Sequence, residues 1–273
     1  MHDLLKGFST MELALIYCVG FAALTVACIF LCRPYSRRWI HGRRNANDMI
    51  GFSLQSFAAL YGILLGLLAV EAYQDFSSVK DAVSKKALTF ATLRHNLDGL
   101  PAPVSGALQE DLRDYAVEAL ETHWPKDVTT PPPTGASPIL RRMLGRLLAF
   151  QPATKSEELV YGEVFRQVNL LIEQRRLLLS SEGNGIPGAM WAVVYIGAFL
   201  FILLMCLFDM EAHVHVLLGA TTALFLGAVV FLIAALDNPF RGGVTVDPAP
   251  IVEMRDALAH ENPPAAAGQR REL

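Results

Sequence analysis

Four long apolar runs constrain the fold of this chain more than any other feature of its sequence. The runs are Met11–Cys32, Met49–Val70, Gly188–Phe208 and Val214–Leu236. Each has about the 20 residues that an α-helix needs to cross the hydrocarbon core of a bilayer. The one Asp, Glu, Lys or Arg within them is Glu12, close to the end of its run. The sequence therefore predicts an all-α integral membrane protein with four transmembrane helices, in contact with the lipid bilayer.

The other residues are predicted to form a loop, a large insert and a tail. The divisions are a first helix pair at 1–70 with a basic loop at 33–48, an insert at 71–187, a second transmembrane hairpin at 188–236, and a tail at 237–273, disordered from about 262. The insert is long enough to bury a core of its own. Its apolar residues recur every three or four positions without strand-like alternation, which predicts a helical extramembrane domain.

Start and stop signals predict the individual helices. The second span has no breaker after Val70, so it is predicted to continue as one helix to about Leu97, where Gly99 and Pro101 stop it. Further helices are predicted at Pro103–His123, Pro138–Phe150, Ser156–Ser181 and, in the tail, Pro250–His260. Ser156 is the predicted N-cap of its helix. The two long helices that adjoin the spans are expected to pack antiparallel.

Composition and motifs argue against several classes of function. The formal net charge of −3 gives no basic surface for nucleic acid. The sequence has no nucleophile motif, phosphate-binding loop or dinucleotide fingerprint, so neither enzyme activity nor a cofactor is predicted. All four cysteines lie in predicted spans, which is typical of small apolar residues and argues against a disulfide framework. His213 and His215 do not share a helix face, so no metal site is predicted there.

Five arginines stand between the first two spans: Arg33, Arg37, Arg38, Arg43 and Arg44. Such a segment is typical of a topology anchor beside the membrane. The alternative is a patch that attracts anionic lipid headgroups or small anions. Four spans place this loop opposite the N-terminus, the insert and the tail. If only short loops are counted, the excess of basic residues on the cytoplasmic side of membrane proteins places the arginines in the cytoplasm. If basic residues of the insert are also counted, neither side has an excess, so the orientation stays open.

Small and acidic residues mark the second span. Ala58, Gly62 and Gly66 have the spacing of a helix-packing stripe, with a pore-lining role as the alternative. Carboxylates gather where the second and fourth spans end, at Glu71, Asp75 and Asp237. Three interpretations of this boundary acid cluster stay open: ordinary interfacial ion pairs, a ring that selects ions around a pore, and, for Asp237, a structural corner in the Asp-Asn-Pro-Phe turn.

Three stretches of the chain resemble the bacterial bestrophin-like domain family. They are the second-span run YGILLGLLAVEAYQDFSSVKDAVSKKA, the His-Trp-Pro ending of a later helix, and the fourth-span ending LDNPFRGGVTVDPAP, within a resemblance over about residues 10–260. The resemblance implies kinship with bestrophins, which are oligomeric anion channels with four spans per subunit and an inserted helical domain held in the cytosol. Bestrophins line their pore with the second span, which implies the neck candidates Tyr61, Ile63, Leu64, Leu67 and Leu68.

Two functions fit these features. The first is a homo-oligomer that passes small anions passively, with an apolar neck in the second span that gates by dewetting. The second is a non-conducting membrane scaffold or sensor whose helical insert binds a partner. A channel requires a ring such as a tetramer or pentamer, whereas a scaffold is expected to be a monomer or dimer. For either function, the resemblance implies a multi-pass protein of the bacterial inner membrane.

Overall fold

The computed structural model describes residues 10–40, 45–124, 135–181, 185–240 and 244–260, and within these ranges it contains helices and no strands. The helices are α1 Thr10–Ile40, α2 Ala46–Leu97, α3 Ala102–His123, α4 Pro138–Ala149, α5 Lys155–Ser181, α6 Gly188–Cys206, α7 Ala212–Leu236 and α8 Ala249–His260. The predicted all-α fold is confirmed. Two compact units divide the chain: the membrane unit, Met1–Ser77 with Asn184–Thr245, and the insert unit, Ser78–Gly183 with Val246–Leu273.

Four helices are long and apolar enough to cross a membrane, namely α1, α2, α6 and α7. Three of them contain a predicted span in full, whereas α6 ends at Cys206, two residues before the predicted end at Phe208. However, α1 continues past Cys32 to Ile40 with Pro34 inside it, so the first half of the predicted basic loop is helical. A proline is tolerated in a membrane helix because neighbouring helices and local adjustments satisfy the backbone groups that it frees. The predicted tail from about residue 262 lies outside the described residues.

Close packing in the membrane unit depends on small residues of α7. A Cβ atom added at Gly227 would lie 2.7 Å from the carbonyl oxygen of Tyr17, and one added at Gly219 would lie 2.6 Å from Cδ1 of Ile29. Ala223, midway between these glycines, is buried. The three residues form a stripe at a spacing of four, which lets the backbones of α1 and α7 approach closely. This stripe on α7 was not among the features predicted from the sequence.

Two hydrogen bonds connect the start of α2 to the segment between α6 and α7. The Asn47 side chain, at the start of α2, donates a hydrogen bond to the carbonyl of Asp209 at 2.8 Å. It also accepts the backbone N–H of Asp209 at 3.1 Å. The connection between α1 and α2 therefore lies at the same end of the unit as the connection between α6 and α7. Four successive membrane crossings require this arrangement.

The insert unit has one apolar core to which all of its helices contribute. Its buried members include Phe90, Leu93 and Leu97 of α2, Leu108, Leu112 and Tyr115 of α3, Leu140, Met143 and Leu147 of α4, Val164, Val168 and Leu171 of α5, and Leu258 of α8. Helix α8 was predicted as part of a separate tail, but Leu258 is buried in this core. The backbone carbonyl of Leu258 also accepts a hydrogen bond from Nε of Arg113 at 3.2 Å.

The antiparallel pairing of the two long helices is confirmed. Nε2 of Gln174 donates to Oγ1 of Thr89 at 3.0 Å, whereas Gly99, just after α2, lies against Val160. Residue numbers therefore rise along α2 as they fall along α5.

The predicted N-cap of α5, Ser156, is wrong by two residues. Thr154 accepts the backbone N–H of Glu157, and the Glu157 carboxylate accepts the N–H of Ala153 at 2.8 Å. These two bonds satisfy backbone donors before the first turn.

Candidate functional site

One face of α2 is packed inside its own protomer. Tyr61, Leu65 and Leu68 are buried in a cluster with residues of α6 and α7. The Tyr61 hydroxyl donates to the carbonyl of Val194 at 2.7 Å, and its ring covers Gly197, where any Cβ would overlap it. Two of the predicted neck residues, Tyr61 and Leu68, therefore have packing roles within the protomer, and their role in a pore neck stays a prediction.

The opposite face of α2 is uncovered. Ile63 and Leu67, two other neck candidates, are 63% and 65% exposed. Gly62 and Gly66 lie on the same face, because residues three and four apart are neighbours on a helix. A Cβ added at either glycine would have no atom within 4 Å. Leu64 lies between the two faces and is half-buried against the cluster that contains Tyr61. The uncovered face thus retains Ile63 and Leu67 as neck candidates.

Among the described residues, nothing packs against the two glycines of the small-residue stripe of α2. Gly62 and Gly66 are exposed, and Ala58 is half-buried. The close helix contact that such a stripe predicts is formed instead by the stripe of Gly219 and Gly227 on α7. Any packing role for the α2 stripe therefore requires a second copy of the chain, and this role stays a prediction.

The uncovered face is also partly polar toward the start of α2. Gln55 and Ser56 are exposed, and the Ser56 hydroxyl donates to the carbonyl of Phe52 at 2.9 Å. Small and polar side chains are enriched at contacts between membrane helices, where they allow close approach and hydrogen bonding. A helix face that meets lipid alone does not need them.

The carboxylate of Asp237 forms a structural corner at the end of α7. It accepts the backbone N–H of Ile186 at 2.5 Å and the indole N–H of Trp191 at 3.2 Å. Ile186 precedes α6, and Trp191 lies in its first turn. Of the interpretations left open by the sequence, these bonds favour the corner for Asp237. Glu71 and Asp75 are exposed on α2, and their grouping with Asp237 around a pore stays a prediction.

The predicted basic loop is described only in part. Arg33 is half-exposed and Arg38 is exposed, both on the last turns of α1. Arg37 lies on the same helix, and Arg43 and Arg44 lie outside the described residues. The arginines that are described therefore stand on a helix that leaves the membrane span.

The two histidines near the start of α7 have different surroundings. The His215 ring is buried, with Nε2 3.0 Å from the carbonyl of Met205, whereas exposed His213 lies 3.4 Å from the carboxylate of Glu211. Among the described residues, no group of three or more His, Cys, Asp or Glu side chains is placed to hold a metal ion. The geometry of this region is that of helix packing and an exposed turn.

Comparisons with known proteins agree with this architecture. The family model described as a bestrophin-like domain matches residues 19–251. A bacterial bestrophin homologue from Klebsiella pneumoniae, whose mutant crystal structure is known, has a similar fold with a TM-score of 0.62. The two chains are 15% identical, and the match covers 89% of this chain and 97% of the other. The comparison with curated proteins gave no match. At this identity, the structural similarity establishes the fold alone.

Proposed function

Because the family model matches most of its length, this chain belongs to the bestrophin-like family, and we propose that it is a homo-oligomeric channel that passes small anions passively. On this proposal it is a multi-pass protein of the bacterial inner membrane and not an enzyme. Bestrophins, which the chain resembles, are oligomeric anion channels that line their pore with the second span. The corresponding helix here is α2.

The uncovered face of α2 is the observation that carries the proposal. It combines two exposed glycines, Gly62 and Gly66, with the exposed amide of Gln55. An amide that faces hydrocarbon lacks the hydrogen-bonding partners that water or protein supplies, which is costly. A ring of copies that turns this face inward places the amide beside water and brings the glycine stripes near neighbouring subunits. Lipid exposure of the same face provides neither benefit.

Within such a ring, Ile63 and Leu67 form the neck. The two side chains are one helical turn apart and are largely exposed in the protomer. Rings of such side chains make an apolar constriction that excludes water when narrow and admits hydrated ions when wider. Arg38 is exposed beyond the end of the first span. Its charge raises the local concentration of anions at the mouth near the start of α2.

Chloride flux from liposomes that contain the purified protein tests the proposal. Leu67→Ala removes an apolar side chain from the neck, so the flux is expected to rise above that of the wild type. Leu217→Ala is the matched control, because Leu217 of α7 is 67% exposed and Leu67 is 65% exposed. Both truncations remove an exposed leucine and create no core cavity. The control variant is expected to conduct like the wild type.

The outcome separates a channel from a scaffold. No flux from the wild type or Leu67→Ala, over a range of pH and calcium, contradicts the channel. An equal rise in Leu67→Ala and Leu217→Ala reports general membrane leakage and contradicts the neck. The mass of the detergent-solubilised protein gives a second test, because a ring requires several subunits, as in a tetramer or pentamer. A monomer or dimer without flux favours a scaffold whose insert binds a partner.

A further inference from the structure

The insert unit contains a cavity that the proposed channel does not use. Its volume is about 390 Å³, and it lies between the start of α4 and the last turns of α5. This volume falls within the range of roughly 300–1,000 Å³ that is typical of small-molecule sites. The described residues that line it all belong to the insert unit, so their contacts do not depend on the arrangement of the spans.

Three arginines line this cavity: Arg141, Arg175 and Arg176. The Arg175 side chain is only 4% exposed, and its Nη1 lies 3.1 Å from Oε1 of Glu118. Its buried Nε has no hydrogen-bond partner among the described residues. The other oxygen of the Glu118 carboxylate already accepts the Ser137 hydroxyl at 2.6 Å. The described lining contains three guanidinium groups and no carboxylate. Because Glu118 pairs with Arg175, two of the three positive charges stay uncompensated by that carboxylate.

The two outer arginines are available to a ligand. Arg141 and Arg176 are exposed at the rim. Within the described part of the chain, no ion pair is formed by either guanidinium. Guanidinium groups bind carboxylate and phosphate oxygens through paired N–H donors. Three of them around one cavity provide more donors than the single nearby carboxylate can accept.

Part of the cavity lining is aliphatic. Leu140 and Leu144 of α4 and Ile172 and Leu179 of α5 also line the cavity. An inorganic anion would leave this surface in contact with water, whereas a ligand with an apolar body would cover it. We propose that the cavity binds a small amphiphilic anion, with a carboxylate or phosphate head among the arginines and a short apolar body against these aliphatic side chains.

Calorimetric titration with butyl phosphate tests this site on the full-length protein in nanodiscs of phosphatidylcholine. Arg141→Ala and Arg176→Ala are each expected to weaken binding about tenfold or more, because each removes a charge-assisted contact. Arg166→Ala is the matched control on α5: Arg166 is exposed, pairs with Glu163 and does not line the cavity. All three positions are exposed, so the midpoint of thermal unfolding of each variant without ligand is expected to stay near the wild-type midpoint.

Each outcome bears on the proposal. Loss of affinity in the two rim variants, with wild-type affinity in Arg166→Ala, supports it. Equal affinity for inorganic phosphate and butyl phosphate contradicts the apolar part of the site. Unchanged binding in both rim variants, or no binding by the wild type, overturns the site itself. These measurements do not depend on conduction, so a protein without chloride flux can still bind, and a conducting protein can fail to bind.

Two sources can supply the same head group, a membrane phospholipid or a soluble phosphate or carboxylate compound. Nanodiscs that contain phosphatidylglycerol distinguish them. If a lipid phosphate occupies the cavity, phosphatidylglycerol competes with butyl phosphate and lowers its apparent affinity in the wild type. If the ligand is soluble, the affinity for butyl phosphate is the same in both kinds of nanodisc. Both results require an anion site at the arginines.

Discussion

Gly227→Ala tests the close approach of α1 and α7. The new Cβ atom would lie 2.7 Å from the carbonyl oxygen of Tyr17 and 3.0 Å from Cα of Cys18. An ordinary van der Waals contact is 3.4–4 Å. Because both of these atoms belong to the backbone of α1, no side chain can turn aside, and the helix must move by roughly 1 Å. Overpacking of this kind costs about 1–3 kcal/mol of unfolding free energy.

Two other glycines provide a graded series of controls. At Gly219, the nearest atom to a new Cβ is Cδ1 of Ile29 at 2.6 Å, the end of a side chain that can change its rotamer. Gly219→Ala is therefore expected to destabilise less than Gly227→Ala. At Gly66, no atom lies within 4 Å of a new Cβ. Gly66→Ala gains up to about 1 kcal/mol of helix propensity at no steric cost in the protomer.

Thermal unfolding in one detergent compares the three variants with the wild type. For a chain of about this size, 1 kcal/mol changes the midpoint by roughly 2–4 °C. From the contacts within one protomer, the expected order of midpoints is Gly66→Ala at or above the wild type, then Gly219→Ala, then Gly227→Ala. A Gly227→Ala variant that unfolds at the wild-type temperature refutes the close helix contact. A destabilised Gly66→Ala would indicate that another copy of the chain packs against the uncovered face of α2.

Two further predictions concern carboxylates that accept several hydrogen bonds or ion pairs. Asp237→Ala removes the acceptor of two hydrogen bonds and is expected to lower the unfolding free energy by about 1–3 kcal/mol. Equal unfolding midpoints for Asp237→Ala and the wild type would contradict the corner. In the insert, the buried Asp111 carboxylate pairs with Arg142 at 2.6 Å and with Arg146 at 3.3 Å. The double alanine variant of these arginines is expected to lose more unfolding free energy than the two single variants together, because either guanidinium alone still compensates the Asp111 charge. Chemical denaturation measures these losses. Additive losses would count against shared pairing.

Helix boundaries were largely predictable from the sequence because their signals are local. The end of α2 at Leu97 follows from Gly99 and Pro101 just beyond it, which cannot continue a regular helix favourably. The core position of α8 had a signal as well. Ile251 and Leu258 are both buried, and their spacing of seven places them on one helix face. The region was predicted as a tail, so this amphipathic pattern did not lead to a core position for its helix.

The faces of α2 could not be assigned in the same way. In a soluble helix, polar residues mark the outside, but a membrane helix is apolar on all sides. Tyr61 and Leu67 are both apolar enough for either face, and only the packing of α6 and α7 separates them. The same limit applies to small-residue stripes. Gly62 and Gly66 have the spacing of Gly219 and Gly227, yet spacing does not identify the helix that fills the groove.

The hydrogen bond between Asp237 and Ile186 has a consequence for the order in which the chain is built. It joins residues 51 positions apart, and synthesis proceeds from the N-terminus. The N–H of Ile186 therefore leaves the ribosome well before its acceptor exists, and α6 and α7 must both be made before the bond can form. Closure of this corner marks the completion of the hairpin, and a nascent chain that stops short of Asp237 carries both helices without the bond that fastens them.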